Sequence, residues 1–359
     1  MLATLMASIS IFSISKQNNH MINLISDTVT LPSTGMKDAM MKAALGDDVF
    51  AADPTINRLQ EVAADMFGKE AALYCPSGTM TNQIAIKCHT QPLDEMICDH
   101  YSHVYQYETG GYAFNSGVAV NLIAGQNGKI TVDQVAAAIK PDYDWLPKSS
   151  LVVLENSCNK GGGSYYTLDE IAPITSLCQE QGLKLHLDGA RLFNVLVETG
   201  ETTYDVGKHF DSVSICISKG LGAPVGSLLI GDASLIKQAR RYRKVMGGGM
   251  RQGGMLAAAC LYALEHNVKR LKIDNDRAKE LGNLIMSLPW VERVRPVMTN
   301  IVIFDLANGI TAESVLGKLE QRGIMASAFG PHTLRLVTHL DYNDTDHNKV
   351  QQVLREMEI

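Results

Sequence analysis

The feature that most constrains this chain is a regular alternation of short apolar segments with amphipathic helical segments from residue 71 onward. Strands that alternate with helices usually lie parallel, in a sheet that helices cover on both faces. Turns rich in Gly, Ser and Asp separate the segments, as is typical of strand-to-helix connections. We therefore predict an α/β fold with a mostly parallel central sheet, whose strands cover residues 71–75, 151–154, 183–187, 213–217 and 225–230.

The C-terminal part of the chain has a different order of elements and predicts a second, smaller α+β domain. The predicted elements are a helix at 252–286, a strand at 300–305, a helix at 312–322, strands at 324–328 and 333–337, and a terminal helix. A chain of 359 residues is long enough for two cores. We predict a large domain over residues 21–286 and a small C-terminal domain over residues 287–359.

The overall composition excludes several classes of protein. Hydrophobic residues make up 46% of the chain, which is enough to fill a large core. The formal net charge is −6 at pH 7, and no basic run could follow a phosphate backbone, so we expect no nucleic-acid partner. No stretch of about 18 apolar residues occurs, so we expect no membrane span.

The cysteines and the N-terminus bear on the cellular compartment. The seven cysteines are scattered and form no Cys-x-x-Cys pair, which favours a reducing compartment, and we expect a cytoplasmic protein. Residues 1–20 are interpreted as a disordered extension, because the first positive charge, Lys16, follows the apolar run instead of preceding it. A cryptic secretory signal is the alternative for this segment.

Two polar residues that follow strand patterns are candidates for chemistry. Asp188 follows the pattern at 183–187, and Lys219 follows the pattern at 213–217. Open α/β sheets bind ligands at the carboxyl ends of their strands, so we expect both side chains at the same edge of the sheet. The alternatives are that Asp188 only caps the following helix and that Lys219 is an ordinary surface lysine.

Three further segments could bind anions. Ser77, Gly78 and Thr79 come at the expected start of a helix, capped by Thr79, where backbone amides suit a phosphate; a plain turn is the alternative. Arg251 follows three glycines and is expected just inside a helix, close to a ligand or another subunit. Arg335 alternates with leucines on a predicted strand, which favours a carboxylate clamp at the domain interface, with a surface salt bridge as the alternative.

His100 and His103 form a His-x-x-His pair, which is the spacing of half a metal site on a helix. No third ligand with suitable spacing follows them, so we predict no metal. An imidazole that stacks on a planar cofactor ring is the better interpretation of His103.

These residues together meet the requirements of a pyridoxal 5'-phosphate (PLP) site. Such a site needs an amine for the aldehyde, an anion against the ring nitrogen, a cradle for the phosphate and a cation for the substrate carboxylate. Lys219, Asp188, the turn at 77–79 and an arginine supply these groups. The sequence therefore indicates PLP as the cofactor and an amino acid as the small-molecule substrate.

Longer motifs carry a resemblance to a known family. They are Ser-Asp-Thr-Val-Thr (26–30), Gly-Asp-Asp-Val-Phe (46–50), Asp-Pro-Thr (53–55), Pro-Ser-Gly-Thr (76–79), Leu-Asp-Gly-Ala-Arg (187–191), Ser-Lys-Gly-Leu-Gly-Ala-Pro-Val-Gly-Ser (218–227), Gly-Gly-Gly-Met-Arg-Gln (247–252) and Arg-Leu-Val-Thr-His (335–339). Over residues 22–340 the chain resembles the low-specificity L-threonine aldolases, in the β-eliminating-lyase branch of the fold-type-I PLP enzymes. The resemblance implies their fold and a homotetramer built as a dimer of dimers, with active sites at subunit interfaces.

The resemblance also implies a role for each matching residue. Lys219 would carry the cofactor as a Schiff base, Asp188 would pair with the ring nitrogen, and His103 would stack on the ring. The phosphate would be held by Ser77, Gly78 and Thr79, with Arg251 reaching in from a neighbouring subunit. The residues implied around the rest of the cofactor and the substrate, including its carboxylate, are Arg191, Ser26, Arg335, Cys158 and Tyr107.

The implied reaction is retro-aldol cleavage of L-threonine or L-allo-threonine to glycine and an aldehyde. His103, directly or through water, is the candidate base for the proton of the β-hydroxyl. The nearest alternative is a β-eliminating lyase of the same fold that releases pyruvate and ammonia. A non-catalytic PLP-binding protein is a further alternative.

The chain departs from the family pattern at two places. The family usually has Leu-Arg-Ser-Asp where this chain has Leu-Ile-Ser-Asp (24–27), and Glu-Asn-Thr-His-Asn where it has Glu-Asn-Ser-Cys-Asn (155–159). The family histidine is thought to contact the β-hydroxyl, and a thiol is a poorer partner for it. Cys158 therefore predicts weaker discrimination between threonine and allo-threonine. The alternative is that Cys158 is a buried packing residue and that Asn159 or a water contacts the hydroxyl.

Overall fold

The computed structural model describes residues 21–359, and the extension predicted over residues 1–20 lies outside the described residues. The strands are β1 (Ile22–Asn23), β2 (Ala71–Cys75), β3 (Asp94–Asp99), β4 (Ala119–Ile123), β5 (Lys148–Glu155), β6 (Lys184–Gly189), β7 (Ser212–Cys216), β8 (Ser227–Gly231), β9 (Val291–Val294), β10 (Ile301–Leu306), β11 (Ile324–Met325), β12 (Ser327–Gly330) and β13 (Thr333–Val337). The α-helices are α1 (Thr34–Met41), α2 (Pro54–Phe67), α3 (Gly78–His89), α4 (His103–Gln106), α5 (Val132–Ala138), α6 (Leu168–Gln181), α7 (Leu192–Thr199), α8 (Thr203–Gly207), α9 (Ala233–Val245), α10 (Gly254–His266), α11 (Leu271–Met286), α12 (Ala312–Gln321) and α13 (Asp344–Glu356). Within this described part of the chain, no helix has both the length and the hydropathy of a membrane-spanning helix.

A seven-stranded sheet forms the centre of the larger part of the fold. Its strand order is β2-β8-β7-β6-β5-β3-β4. The strands from β7 to β4 run parallel, and β8 is antiparallel to both of its neighbours. The predicted α/β fold with a mostly parallel central sheet is therefore confirmed. The polar residues His186 and Asp188 in β6 are 0% and 2% exposed, because such a strand is covered on both faces.

The five strands predicted for this sheet are present. β2 has the predicted ends, and β5, β6, β7 and β8 have shifted ends. The sequence patterns did not indicate β3 or β4. In β3 the acidic residues Asp94, Glu95 and Asp99 are all buried, so this central strand lacks the apolar run that identifies the others.

Several local predictions are wrong in detail. Ser77, and not Thr79, caps α3, because Ser77 Oγ accepts a hydrogen bond from the Met80 N–H at 3.2 Å. The helix predicted over 252–286 is divided into α10 and α11, since Asn267 ends α10 and donates its side-chain amide to Leu221 O at 2.7 Å. The first of these helices begins at Gly254, so Arg251 lies in a turn before α10 and not inside a helix. The strand predicted over 324–328 is divided into β11 and β12.

A four-stranded antiparallel sheet, in the order β12-β13-β10-β9, forms the second part of the fold. A separate hydrophobic cluster covers it, to which α11 contributes Leu281 and Ile285. Ile22 and Leu24 of the N-terminal arm belong to the same cluster, and β1 pairs with β11. The domain division at residue 286 stays a prediction. In the structure, the helix before that residue shares the core of the smaller sheet.

Candidate active site

A cleft of about 200 Å³ lies where the carboxyl ends of β6 and β7 meet the start of α3. Because β6 and β7 are parallel neighbours, the turns after them are at the same edge of the sheet. The prediction that Asp188 and Lys219 meet at one edge is confirmed by this arrangement. The residues that line the cleft are Ser77, Gly78, Thr79, Asn82, His103, Asp188, Ala190, Cys216, Ser218 and Lys219.

The turn after β7 fixes the main chain of Lys219. Its carbonyl oxygen accepts hydrogen bonds from Thr30 Oγ1 at 3.0 Å and from the Gly222 N–H at 2.8 Å. Gly222 has a φ of +84°, a left-handed conformation that favours glycine. The main chain of Lys219 is thus held, while its half-buried side chain lines the cleft.

Asp188 supplies a buried carboxylate to the cleft. Its Oδ2 accepts a hydrogen bond from Asn82 Nδ2 at 2.9 Å, and its Oδ1 accepts one from the Ala190 N–H at 3.2 Å. The bond to Ala190 is a turn contact, and the residue at the N-cap of α7 is Arg191, so Asp188 is not the helix cap. A buried carboxylate requires hydrogen bonds or a cation, and Asp188 suits a protonated ring nitrogen.

His103 begins α4 and faces buried carboxylates. Its Nδ1 lies 3.1 Å from Glu108 Oε1, and its backbone N–H donates to Glu155 Oε2 at 2.9 Å. Burial lowers the pKa of His103, but the hydrogen bond to Glu108 and the charges of Asp188 and Glu155 raise it, and the pKa is raised overall. With Glu108 accepting the hydrogen of Nδ1, Nε2 is the ring atom left to exchange a proton with a ligand.

Glu155 ends β5 beside His103. Its Oε1 accepts a hydrogen bond from the Asn159 N–H at 2.8 Å, so its two oxygens hold the loop after β5 against the start of α4. Burial, together with the charge of Asp188, raises the pKa of Glu155 to about 7. The neutral form of this carboxyl is therefore favoured relative to that of a solvent-exposed glutamate.

The same carboxylates bear on the question of a metal. Among residues 21–359, one group of potential ligands meets, namely His103, Glu108 and Asp188, whose ligand atoms lie within 4.8 Å of one another. These side chains already bond to one another or to Asn82, at the position predicted for the cofactor ring. His100 instead places Nδ1 3.3 Å from Ile123 O. The absence of a metal stays a prediction.

The start of α3 forms the end of the cleft that suits a phosphate. The first amide groups of a helix lack intrahelical partners and attract anions. A Cβ atom at Gly78 would lie 2.5 Å from Cys216 Sγ, so close packing requires glycine at this position. Ser77 caps the helix and, with Thr79, lines the same part of the cleft.

Arg191 forms a buried bidentate ion pair beside the cleft. Its Nε donates to Asp27 Oδ2 at 2.7 Å and its Nη2 donates to Asp27 Oδ1 at 2.6 Å. Burial alone would raise the pKa of Asp27, but the Arg191 guanidinium lowers it to about 2. Asp27 is therefore fully ionised at neutral pH. Ser26, the preceding residue, accepts hydrogen bonds from Thr28 and keeps its own hydroxyl hydrogen to donate.

Arg335 lies on β13 and approaches the same region from the small sheet. Its Nη1 donates to Asn159 Oδ1 at 2.9 Å, and its Nη2 donates to Ile25 O at 3.0 Å. Its Nε is buried and makes no hydrogen bond within the described residues. Burial and the nearby charge of Arg191 lower the pKa of Arg335 to about 10, so it stays a cation at neutral pH. Within residues 21–359, Arg335 does not form the surface salt bridge that was the alternative.

Six predicted site residues do not line this cleft. They are Arg191, Ser26 and Arg335, described above, and Cys158, Arg251 and Tyr107. Cys158 is 2% exposed in the main hydrophobic cluster, where its thiol faces the carbonyl oxygens of Gly128 and Glu155. This placement favours the packing interpretation. Arg251 pairs with Asp47 at 2.6 Å, and 55% of its side chain is exposed. Tyr107 is 44% exposed, with its ring 5.6 Å from that of His103.

Sequence reasoning missed several residues that build the site. Asn82 lies one helical turn beyond Gly78, a spacing that places it over the cleft once α3 is recognised. Asp27 is part of the Ser-Asp-Thr-Val-Thr motif, but no local sequence signal indicates that Arg191 is its partner. Glu155 meets His103 through a contact between segments 52 residues apart. Glu108 lies only five residues after His103, but no sequence pattern singled it out.

The cleft fits PLP. It combines a lysine, a buried carboxylate, an imidazole and a helix N-terminus in one space, with two arginines at its edge. When the cofactor is bound, Lys219 would hold its aldehyde carbon, Asp188 its ring nitrogen and the start of α3 its phosphate. Fold and site together define a PLP-dependent enzyme of the fold-type-I class.

Comparisons with known proteins agree with this class. The family model described as beta-eliminating lyase matches residues 23–309. A low specificity L-threonine aldolase from Escherichia coli is 41% identical over 89% of this chain and 94% of its own length. Low-specificity L-threonine aldolase 1 from Arabidopsis thaliana is 38% identical over 90% of this chain and 93% of its own length. The chain therefore belongs to the beta-eliminating lyase family, as the sequence motifs implied, and it is a PLP-dependent lyase.

A solved structure supports the fold. The threonine aldolase from Leishmania major superimposes with a TM-score of 0.81 at 22% sequence identity, and the match covers 93% of this chain and 98% of the other. At this level of identity the likeness shows the fold alone. The predicted fold class is confirmed by it.

Proposed function

We propose that the chain cleaves L-threonine and L-allo-threonine, and β-hydroxy-α-amino acids generally, into glycine and an aldehyde. The names of its relatives from Escherichia coli and Arabidopsis thaliana support this reaction, since both align over most of their length at 38–41% identity. The site supports it through its fit to PLP and through its charge distribution.

One observation carries the proposal, which is the excess of positive charge at the arginine end of the cleft. Arg191 and Arg335 are close enough that the charge of Arg191 lowers the pKa of Arg335. Within residues 21–359, Asp27 is the one carboxylate that forms an ion pair with these two arginines, and it pairs with Arg191. The Arg335 Nε and the Arg191 Nη1 make no hydrogen bond within those residues. Two guanidinium groups with one counter-charge can accept one more anion, and an amino-acid carboxylate fits that requirement.

The roles of the chain's own residues follow from this placement. PLP, when bound, withdraws electrons from bonds to the substrate α-carbon. Lys219 provides the amine that holds the cofactor until the substrate replaces it. Asp188 keeps the ring nitrogen protonated, which the electron withdrawal requires. Arg191, Arg335 and Ser26 bind the substrate carboxylate and so orient the rest of the molecule.

His103 is the base for the proton of the β-hydroxyl. Glu108 accepts the hydrogen of its Nδ1, so the lone pair of the neutral imidazole is on Nε2. Because its pKa is raised, the neutral imidazole is a stronger base than a solvent-exposed histidine.

A product assay tests the proposal. The purified protein is given L-threonine, L-allo-threonine and L-serine in parallel, and glycine, acetaldehyde, pyruvate and ammonia are measured. We expect equal amounts of glycine and acetaldehyde from both threonine isomers. Lys219→Ala should abolish the reaction, and Arg335→Gln should raise KM by about tenfold or more, since it removes a charged hydrogen bond to the carboxylate. Pyruvate and ammonia as the main products would contradict the aldol reaction and identify a β-eliminating lyase.

Assembly and location form a second part of the proposal. We propose a cytoplasmic homotetramer, built as a dimer of dimers, in which Arg251 contacts the phosphate in a neighbouring subunit. In its own chain Arg251 is exposed beside Phe50, an apolar side chain that is 76% exposed. Mixing inactive Lys219→Ala chains with inactive Arg251→Ala chains should restore activity. Mixed oligomers without recovered activity would contradict this role.

A further inference from the structure

A line of buried polar side chains leads from Asp188 to the far end of α3. Asn82 and His89 lie two turns apart on α3, which packs on the sheet. His186 of β6 and Ser212 of β7 are direct partners across the parallel strands, and both are 0% exposed. The proposed reaction uses none of these four side chains, although buried polar groups are costly unless they are paired. We call His89, Ser212, His186 and Asn82 the α3 relay.

Every neighbouring pair in the α3 relay is within hydrogen-bonding distance. His89 Nε2 lies 2.7 Å from Ser212 Oγ, which lies 2.8 Å from His186 Nδ1. His186 Nε2 lies 3.1 Å from Asn82 Oδ1. Asn82 Nδ2 donates to Asp188 Oδ2 and to Glu108 Oε1, both at 2.9 Å. The relay thus ends on the carboxylate that faces the ring nitrogen of the cofactor.

The chemistry of these groups fixes the direction of each hydrogen bond. Since Asn82 Nδ2 faces two carboxylates, its Oδ1 is an acceptor, and His186 Nε2 must carry a hydrogen. Burial and the neighbouring His89 lower the pKa of His186 to about 3, so its Nδ1 is an unprotonated acceptor at neutral pH. Ser212 then donates to His186 and accepts from His89 Nε2. Every hydrogen in the α3 relay therefore points toward Asp188.

We infer that His186 is a positioning residue for Asp188 and acts through Asn82. The Nε2–H of His186 holds the Asn82 carboxamide with its nitrogen toward Asp188, and this donor aims the carboxylate at the cleft. A flipped Asn82 would place its oxygen against the two carboxylates and its NH₂ against the His186 N–H. The inference rests on the PLP assignment and on the pairing of Asp188 with its ring nitrogen, and it does not depend on which amino acid is cleaved.

The test compares His186→Leu, which cannot donate, with His186→Gln, whose amide can both donate and accept. Apo-protein is titrated with PLP, and bound cofactor is followed by its visible absorbance. We expect His186→Leu to weaken PLP binding about tenfold and His186→Gln to recover most of that loss. With threonine as substrate, the kcat of His186→Leu should fall about tenfold. Its KM should change by less than about twofold, because the arginines and not Asp188 bind the substrate carboxylate.

A matched control separates positioning from loss of packing. His347 is also a buried histidine whose ring nitrogens have hydrogen-bonding partners, namely Tyr342, Glu280 and Gln351, but it lies on α13. His347→Leu should destabilise the apo-protein comparably and leave the dissociation constant of PLP unchanged. If His186→Leu behaves in the same way, His186 is a packing residue and the inference is overturned.

A double-variant cycle tests the route through Asp188. Asp188→Asn should lower kcat on its own, and adding His186→Leu should lower it by less than about twofold more, since residues that act as a unit are not additive. A further tenfold loss in the double variant would show that His186 acts by another path. The PLP titration remains informative even if threonine is not the substrate, so failure of the inference and failure of the proposed reaction give different results.

Discussion

The ion pair between Asp27 and Arg191 gives the sharpest quantitative prediction. Replacing Asp27 with Asn keeps the shape of the side chain but removes its charge and leaves Arg191 as a buried, unpaired cation. Arg191 is 7% exposed and Asp27 is 0% exposed, so water cannot replace the lost partner. We therefore expect a large loss of stability together with a loss of orientation of the Arg191 guanidinium.

Two routes give the magnitude of the loss. The pKa of Asp27 is lowered from 3.8 to about 2, and each pKa unit corresponds to about 1.4 kcal/mol, which gives about 2 to 3 kcal/mol at neutral pH. Removal of one partner from a buried ion pair costs about 3–5 kcal/mol in other proteins. We expect a loss of about 3 kcal/mol, or a thermal midpoint lowered by about 4 °C for a chain of this length.

The sign of the pH dependence follows from the lowered pKa. The contribution of Asp27 is fully present above its unfolded pKa, near 3.8, and is lost as the pH falls through about 2. Thermal unfolding of the apo-protein should therefore show that wild type and Asp27→Asn differ most at neutral pH and converge in acid. KM for threonine should also rise about tenfold, since Arg191 is no longer oriented.

Asp276→Asn is the matched control. Asp276 pairs with Lys272 on the surface of α11, where both side chains are about half exposed. Exposed pairs of this kind contribute about 0.5 kcal/mol or less. If Asp27→Asn is no less stable than this control at neutral pH, the buried pair does not hold Arg191 and the reasoning is refuted.

Two further predictions concern Glu155 and Cys158. The pKa of Glu155 is raised to about 7, so its contribution to stability is present below about pH 4.5 and is lost as the pH rises through about 7. Glu155→Gln should therefore remove up to about 3 kcal/mol of this pH dependence from the stability of the apo-protein. A variant whose thermal unfolding has the same pH profile as wild type would contradict this prediction. Cys158 packs in the core, so Cys158→Ser should keep the ratio of kcat/KM for threonine and allo-threonine within about twofold of the wild-type ratio. A tenfold change in that ratio would instead place residue 158 beside the β-carbon of the substrate, as the family pattern implied.

The sequence predicted those parts of the site that depend on local signals. Lys219 and Asp188 each follow a buried strand, and parallel strands present their carboxyl ends at one edge. Gly78 is recognisable because a helix must begin where a turn of small residues ends. Each of these predictions needs only the position of a residue within its own strand or helix.

The other site residues are brought together by contacts between segments that are distant in the chain, and the periodicity of a sequence does not indicate such contacts. Arg191 meets Asp27 across 164 positions of the chain, and Asn82 meets Asp188 across 106. The Asn82–Asp188 pair follows from the packing of α3 across the sheet, and Asp27 lies in the N-terminal arm outside that sheet. Sequence spacing indicates neither contact. Charged residues in β3 also concealed a central strand, because its carboxylates are buried instead of exposed.

The distribution of charge divides the cleft into two halves, and this division orients the ligands. Glu108, Asp188 and Glu155 surround His103 on one side, while Arg191 and Arg335 lie on the other. A cofactor ring with a protonated nitrogen is drawn to the acidic half, and the carboxylate of an amino acid is drawn to the basic half. The reverse arrangement would put like charges together in a space where little water screens them. The α3 relay directs its hydrogens into the acidic half and so supports the anion at its centre. The basic half has two guanidinium groups but, within the described residues, one paired carboxylate, that of Asp27, so it can bind one more anion. In the proposed function, PLP and an amino acid would therefore bind in one relative orientation, with His103 in the acidic half.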